Sequence, residues 1–84
     1  MFYLYVLKSN KDGKFYIGST GNIERRIQEH LLGLVKSTKN RRPLKLIYKE
    51  IFTTKEEAQS RESYFKGGGK ARNLLTKLIK EQEL

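Results

Sequence analysis

The order of apolar and polar positions divides the chain into elements before any chemistry is considered. Phe2–Ser9 (FYLYVLKS) is aromatic and β-branched, which suits a strand. Asn10-Lys11-Asp12-Gly13 supplies turn residues, and Lys14–Ser19 (KFYIGS) reads as a second strand, so the two predict a hairpin. Gly18 weakens that second strand unless something must come close to its backbone. Thr20-Gly21-Asn22 breaks the pattern, with Asn22 placed as a helix N-cap. Ile23, Ile27, Leu31 and Leu34 then recur at helical spacing, and Gly33 can end the helix. Arg25, Arg26 and His30 lie off that stripe, with Arg26 and His30 one turn apart. Val35–Pro43 reads as a basic loop. Leu44–Phe52 (LKLIYKEIF) predicts a third strand, with Leu44, Leu46, Tyr48 and Phe52 on one face.

Thr54-Lys55-Glu56-Glu57 has the form of a capping box, so a helix starts there. Its apolar side is thin: Ala58 and Phe65, with Glu62 on the same side. Gly67-Gly68-Gly69 ends it, and Ala71–Gln82 follows as an amphipathic helix carrying Leu74, Leu75, Leu78 and Ile79. The order is ββαβαα. It predicts an α+β fold, a small three-stranded antiparallel sheet flanked by helices, in one domain over residues 1–84 without internal repeats.

Composition narrows the setting. The 84 residues are 37% apolar, enough for one modest core, and folding a chain of this size hides roughly 64% of its unfolded surface. Lys and Arg number 18 against 9 for Asp and Glu, a net charge of +9. That favours a polyanion as partner, nucleic acid or an anionic membrane surface. Six cations (Lys36, Lys39, Arg41, Arg42, Lys45, Lys49) lie between Glu29 and Glu50 with no carboxylate among them. With no cysteine, disulfides and thiolate metal sites are excluded. No apolar run approaches the ~20 residues of a membrane span, and the N-terminus does not read as a signal peptide. The expectation is an intracellular, cytoplasmic protein without a membrane partner.

Several chemical readings fail on the residues themselves. Gly67-Gly68-Gly69-Lys70 is not a phosphate loop, because Ala71 stands where Ser or Thr is required and Tyr64 where the first Gly belongs. It reads instead as a joint between helices. His30 has no second His or Cys with which to bind zinc. The sole aspartate, Asp12, is committed to a turn, which leaves no Ser-His-Asp set. Glu62 is more informative, since a carboxylate on the sheet side of a helix is costly unless paired or metal-bound. Its alternatives are a salt bridge to one of the many cations or a metal. Any one of Tyr3, Tyr5, Tyr16, Tyr48 and Tyr64 taken alone reads as core packing.

Taken together, these residues resemble the GIY-YIG nuclease family, in particular its small stand-alone members and the N-terminal catalytic domain of the excision-repair nucleases. The first motif stands as Tyr3-Leu4-Tyr5 and the second, intact, as Tyr16-Ile17-Gly18. Arg26 and His30 follow in the spacing YIG-x(7)-R-x(3)-H, and Glu62 lies in the next amphipathic helix. Asn73 matches a later asparagine of the family more loosely. The likeness spans nearly the whole chain. Tyr3 and Leu4 replace the Gly and Ile of the first motif, and Ser19 stands where some members carry Lys.

The resemblance implies a divalent-metal-dependent endonuclease that hydrolyses phosphodiester bonds in DNA, with little sequence specificity, in repair or recombination. Glu62 would hold Mg²⁺ or Mn²⁺. Tyr16 would act as general base or position the water, although only about one free phenol in a thousand is ionised at neutral pH, a cost on the order of 4 kcal/mol. Tyr5 would hydrogen-bond within the site, and Arg26 would grip the scissile phosphate. His30 would relay a proton or bind phosphate, and Gly18 would let backbone and substrate approach. Arg25, Lys36, Lys39, Arg41, Arg42 and Lys45, with Asn73, would track nucleic acid, DNA before RNA, in a nucleoid-associated protein. A homodimer or a partner protein would supply specificity. The competing readings are a non-catalytic DNA- or RNA-binding module on the same fold and a structural protein that uses charge alone. A pure binder has no use for a carboxylate that repels phosphate.

Overall fold

The computed structural model describes residues 1–82. Its elements are β1 (Phe2–Ser9), β2 (Phe15–Thr20), α1 (Ile23–Leu31), a short 3₁₀ turn (Lys39–Arg41), β3 (Leu44–Phe52), α2 (Lys55–Lys66) and α3 (Lys70–Gln82). The strands form one antiparallel sheet in the order β2-β1-β3. The predicted ββαβαα arrangement is the observed one. Within the basic loop the 3₁₀ turn is an addition.

The ends of the helices follow the expected chemistry. The Asn22 side chain accepts the Arg25 N–H at the start of α1, and Thr54 and Glu57 form a reciprocal capping box at α2. Past α1, Gly33 adopts φ +79° and the Leu34 N–H reaches back to the Glu29 carbonyl, a Schellman ending. A Cβ at Gly33 would also lie 2.6 Å from Cζ of Arg42, so that guanidinium rests on the glycine.

The central strand β1 is buried on both sides and so divides the core in two. Leu4 and Val6 pack with Ile17, Tyr48, Phe65, Ala71, Leu75 and Ile79 beneath α2 and α3. Tyr5 and Leu7 pack on the other face with Leu44, Leu46, Tyr16, Ile23 and Ile27 beneath α1. The third strand departs from its predicted alternation. Val6 pairs with Tyr48 but Leu7 pairs with Leu46, so a bulge at Ile47 shifts the register. Leu44 and Leu46 therefore face α1, whereas Tyr48 and Phe52 face α2 and α3. One extra residue turns a single expected face into two, which lets β3 serve both cores.

Helix α1 also turns a side that its aliphatic spacing did not predict. Leu31 and Leu34 are exposed, and His30 is its one fully buried residue. Three polar side chains form a line in this core. The Tyr5 hydroxyl lies 2.9 Å from Nε2 of His30, and Nδ1 of His30 lies 2.7 Å from the Thr38 hydroxyl. Both ring nitrogens are thereby partnered, as a buried imidazole requires.

Burial, reinforced by the Arg26 charge, pushes the His30 pKa down from 6.5 to about 4. The native ring is therefore neutral through a range in which the unfolded ring takes up a proton. Stability contributed this way is complete above about pH 6.5 and is lost as pH falls toward 4, on the order of 3 kcal/mol in all. Urea unfolding at steps between pH 7.5 and 4 is expected to show that decline. NMR of the chain's sole histidine should show no imidazolium above about pH 5. A ring titrating near 6.5 would contradict the burial argument.

Candidate active site

The site is built where an edge strand lets both sheet faces meet. β2 lies at the border of the sheet, and its residues alternate between the two helix layers. Tyr16 and Gly18 face α1; Ile17 and Ser19 face α2. Gly18 pairs directly with Tyr5 of β1. A Cβ there would stand 2.5 Å from Oη and 2.6 Å from Cζ of Tyr5. The close approach expected at Gly18 is thus made by the Tyr5 ring, which crosses over the glycine backbone.

Tyr5, Tyr16 and His30 form a triangle of rings. Their centroids are 6.3 Å apart for the two tyrosines, 5.6 Å for Tyr5–His30 and 5.0 Å for Tyr16–His30. Tyr5 is fully buried, whereas Tyr16 is partly exposed. Burial pushes the Tyr5 phenol up to about 12, against the pull of Arg26, and the nearby Tyr16 and Glu62 add to the rise. Tyr5 therefore keeps its proton at neutral pH. Arg26 lies one turn before His30, and the Tyr5 phenol together with Glu29 holds its guanidinium pKa above the usual value. Its Nη1 also donates to Glu29 Oε1 at 3.1 Å, which fixes the rotamer from the solvent side.

Glu62 enters from the other layer, on the third turn of α2. The Ser19 hydroxyl donates to Oε1 at 2.6 Å, and the Lys66 ammonium lies 2.5 Å from Oε2. Of the alternatives set out for Glu62, the structure shows the salt bridge; Arg61 is engaged elsewhere, holding Glu50 with two nitrogens. The Glu62 side chain is 21% exposed, so it is not sealed from solvent. Among the described residues no three His, Cys, Asp or Glu side chains are grouped to cage a metal ion. The donor set fits an ion such as Mg²⁺ or Mn²⁺ in one form: a single hard carboxylate, with water and phosphate oxygens filling the other positions. Held by Glu62, such an ion would take the place of Lys66.

The basic residues separate into two groups. Arg25, Lys36, Lys39 and Lys45 are exposed, with Arg25 only loosely paired to Glu29 at 3.9 Å. Arg41 instead bridges to Asp12 at 3.3 Å and donates to the Phe15 carbonyl, pinning the loop to the β1–β2 turn. Arg42 donates to the Lys39 carbonyl and lies on Gly33. Asn73 is exposed on α3, a helix packed on α2 and β3 and not on α1. The sequence did not mark Lys66 or Thr38. Lys66 was legible as the i+4 partner of Glu62, whereas no pattern distinguished Thr38 from its exposed neighbours.

The geometry agrees with comparisons to known proteins. A family model described as the GIY-YIG catalytic domain matches residues 1–75. A UPF0213 protein of Clostridium perfringens is 45% identical over 86 residues, covering 98% of this chain and 91% of the relative. A UPF0213 protein of Staphylococcus saprophyticus is 45% identical over 80 residues, 94% of each chain. The solution NMR structure of a UPF0213 protein from Bacillus halodurans superposes with a TM-score of 0.59 at 32% identity, covering 98% of this chain and 86% of that one. With the tyrosine motifs, the arginine–histidine helix and the glutamate helix all inside the matched span, the chain belongs to the GIY-YIG catalytic domain family.

Proposed function

We propose that this protein is a metal-dependent endonuclease that cuts DNA with little sequence preference. Membership of a nuclease family supports phosphodiester hydrolysis as the reaction class and nucleic acid as the substrate. The observation that supports the finer reading is that the border strand carries both Tyr16, packed against His30, and Ser19, which holds Glu62, beside an exposed cationic loop. A phosphate laid along this edge meets a guanidinium able to grip two oxygens at once. It also meets a phenol with access to solvent. Tyr16 serves as the base or water-positioning group; Tyr5, with its proton held by burial, does not. Arg26 binds and neutralises the scissile phosphate. A Mg²⁺ or Mn²⁺ ion on Glu62 supplies Lewis-acid stabilisation of the leaving oxygen when bound. His30 acts through Tyr5, since burial keeps it neutral and removes it from direct phosphate binding.

Arg25, Lys36, Lys39 and Lys45 form the binding strip, and Arg41 and Arg42 shape the loop that presents it. No helix among the described residues is long and apolar enough to cross a membrane. A cytoplasmic, nucleoid-associated setting, a role in repair or recombination and a second protomer or partner that supplies specificity complete the proposal. A non-catalytic binder on the same fold is the rival reading. It gives no role to a carboxylate held at the edge of a cationic surface.

Plasmid nicking with Mg²⁺ or Mn²⁺ separates the two. The wild-type protein is expected to convert supercoiled to open-circular plasmid and to lose that activity with a chelator. Glu62→Gln should lose at least about a hundredfold in rate, the order expected for removing charge stabilisation at a leaving group, while its thermal midpoint stays within a few degrees. A Glu62→Gln protein that nicks at the wild-type rate would remove this residue from the mechanism. Nicking that persists in the chelator would remove the metal.

Tyr16→Phe is expected to lower single-turnover cleavage about a hundredfold or more, the range for general-base catalysis, with DNA affinity nearly unchanged. An unaltered cleavage rate would reassign the base. DNA binding should weaken steeply with salt, and Lys36→Ala with Lys39→Ala should flatten the slope of log K against log salt by about two. Arg41→Ala is expected to act mainly on stability, because Arg41 holds the loop to the hairpin.

A further inference from the structure

The hairpin end of β2 borders a cavity that the site above does not use. It has a volume of about 340 Å³ and is lined by Gly13, Lys14, Phe15, Arg72 and Thr76. Two cations line it and no carboxylate does. Asp12, in the adjoining turn, is committed to the Lys14 backbone N–H at 2.8 Å and to Arg41 at 3.3 Å. The Thr76 hydroxyl donates to the Arg72 carbonyl. The side-chain donors left for a ligand are therefore Lys14 and Arg72.

Arg72 differs from the other arginines. Arg25 and Arg26 lie on Glu29, Arg41 on Asp12, Arg61 on Glu50, and Arg42 donates to the Lys39 carbonyl. Arg72 has no ion pair among the described residues, and its Nε is buried without a hydrogen-bond partner. A buried donor on a charged group is costly to leave unpaired, so it implies an acceptor that the fold itself does not supply. Surrounding atoms cover Nε, so the guanidinium meets that acceptor by turning within the cavity it lines. With Lys14 on the same cavity, an oxyanion is the favoured acceptor, and the guanidinium fork fits phosphate oxygens two at a time.

The position of the cavity points to the source of that phosphate. Phe15, on its wall, and Ser19, which holds Glu62, lie four residues apart on the same side of β2. At the rise of a strand that is about 13 Å, or about four nucleotides along one strand of a duplex. We propose that Arg72 and Lys14 form a second phosphate subsite, which takes a backbone phosphate of the nucleic acid about four nucleotides from the one at Glu62. The choice of nucleic acid rests on the nuclease reading above; the fit to an oxyanion does not. This contact comes from α3, in the layer opposite α1, whose Arg25 begins the exposed cationic strip.

The Nε–H of Arg72, assigned from its loss in Arg72→Lys, can be followed in ¹H–¹⁵N spectra of the intact protein in chelator. Inorganic phosphate is the titrant in one arm and a DNA duplex of one helical turn in the other. The resonance is expected to shift in both. Arg72→Gln should weaken duplex binding about tenfold, the worth of about one charge-assisted hydrogen bond. It should also flatten the slope of log K against log salt by about one, with the thermal midpoint within a few degrees of wild type. Arg72→Lys, which keeps the charge without the fork, should keep the slope and recover only part of the affinity. An Nε–H that responds to neither titrant overturns the proposal, and one that responds to phosphate alone assigns the cavity to a free anion and overturns its link to nucleic acid. If Arg72→Gln does not fold, Lys14→Gln at an exposed position carries the salt test, and an unchanged slope there counts against the subsite. A protein that shows both shifts but cannot nick DNA fails as a nuclease while the subsite stands. One that nicks while Arg72 stays silent keeps the nuclease reading and loses this one.

Discussion

Everything in this small fold follows from a central strand that has no solvent face. Leu4, Tyr5, Val6 and Leu7 of β1 are all buried, so each side of a three-stranded sheet must be covered by helices. Eighty-four residues allow one helix on one side and two on the other. The covering is unequal because the two cores differ in kind. Beneath α2 and α3 the packing is mostly aliphatic, with one polar edge where Tyr48 donates to Glu50 and Arg61 clamps that carboxylate while stacking on Phe65. Beneath α1 the aliphatic side chains of Leu7, Leu44, Leu46, Ile23 and Ile27 share the space with Tyr5, Tyr16 and His30, whose polar atoms need partners. That need joins His30 and Thr38 to Tyr5 in one hydrogen-bonded line, with Arg26 one turn before His30 on α1.

The position of β2 at the border of the sheet turns this packing into a site. An interior strand would present its two faces to regions separated by the sheet. An edge strand exposes a rim, to which β2 brings Tyr16 from one face and the Ser19–Glu62 pair from the other. Gly18 permits the arrangement, since any side chain there would collide with the Tyr5 ring. The packing requirement and the chemical one thus fall on the same residue.

Local signals were the ones the sequence carried well. The Asn22 cap, the Thr54–Glu57 box, the Gly33 ending and the joint at Gly67-Gly68-Gly69 each depend on residues close in the chain, and each stands where its chemistry predicts. The element order and the family motifs were legible for the same reason. What escaped depends on contacts between distant segments. The bulge at Ile47 arises because β3 must serve two cores, and no period-2 reading of LKLIYKEIF contains that demand. The burial of His30 was hidden because hydropathy ranks Leu31 and Leu34 as the inward residues. The partner that makes an imidazole cheaper to bury, Tyr5, lies 25 positions away. Thr38 was invisible among lysines for the same reason. Arg41 and Arg42 counted as binding cations in the sequence because charge can be summed without knowing that Asp12 and Gly33 claim them.

The chain's large positive charge acquires a different meaning once its few carboxylates are placed. Three of the nine are tied to a specific arginine: Asp12 to Arg41, Glu29 to Arg25 and Arg26, Glu50 to Arg61. These pairs hold loops and rotamers, so their acids do not stand in the path of a polyanion. Glu62 is paired too, but its partner Lys66 is 52% exposed on a long flexible stem, and such surface pairs contribute only about 0–1 kcal/mol. That bond is weak enough to be exchanged for another cation at little cost. Ser19, by contrast, bonds Oε1 from the strand and would hold the carboxylate in place if the lysine left. A strand donor on one oxygen and a replaceable cation on the other would let a basic surface keep a carboxylate where phosphate would otherwise be repelled, and the metal-holding role proposed for Glu62 depends on that exchange.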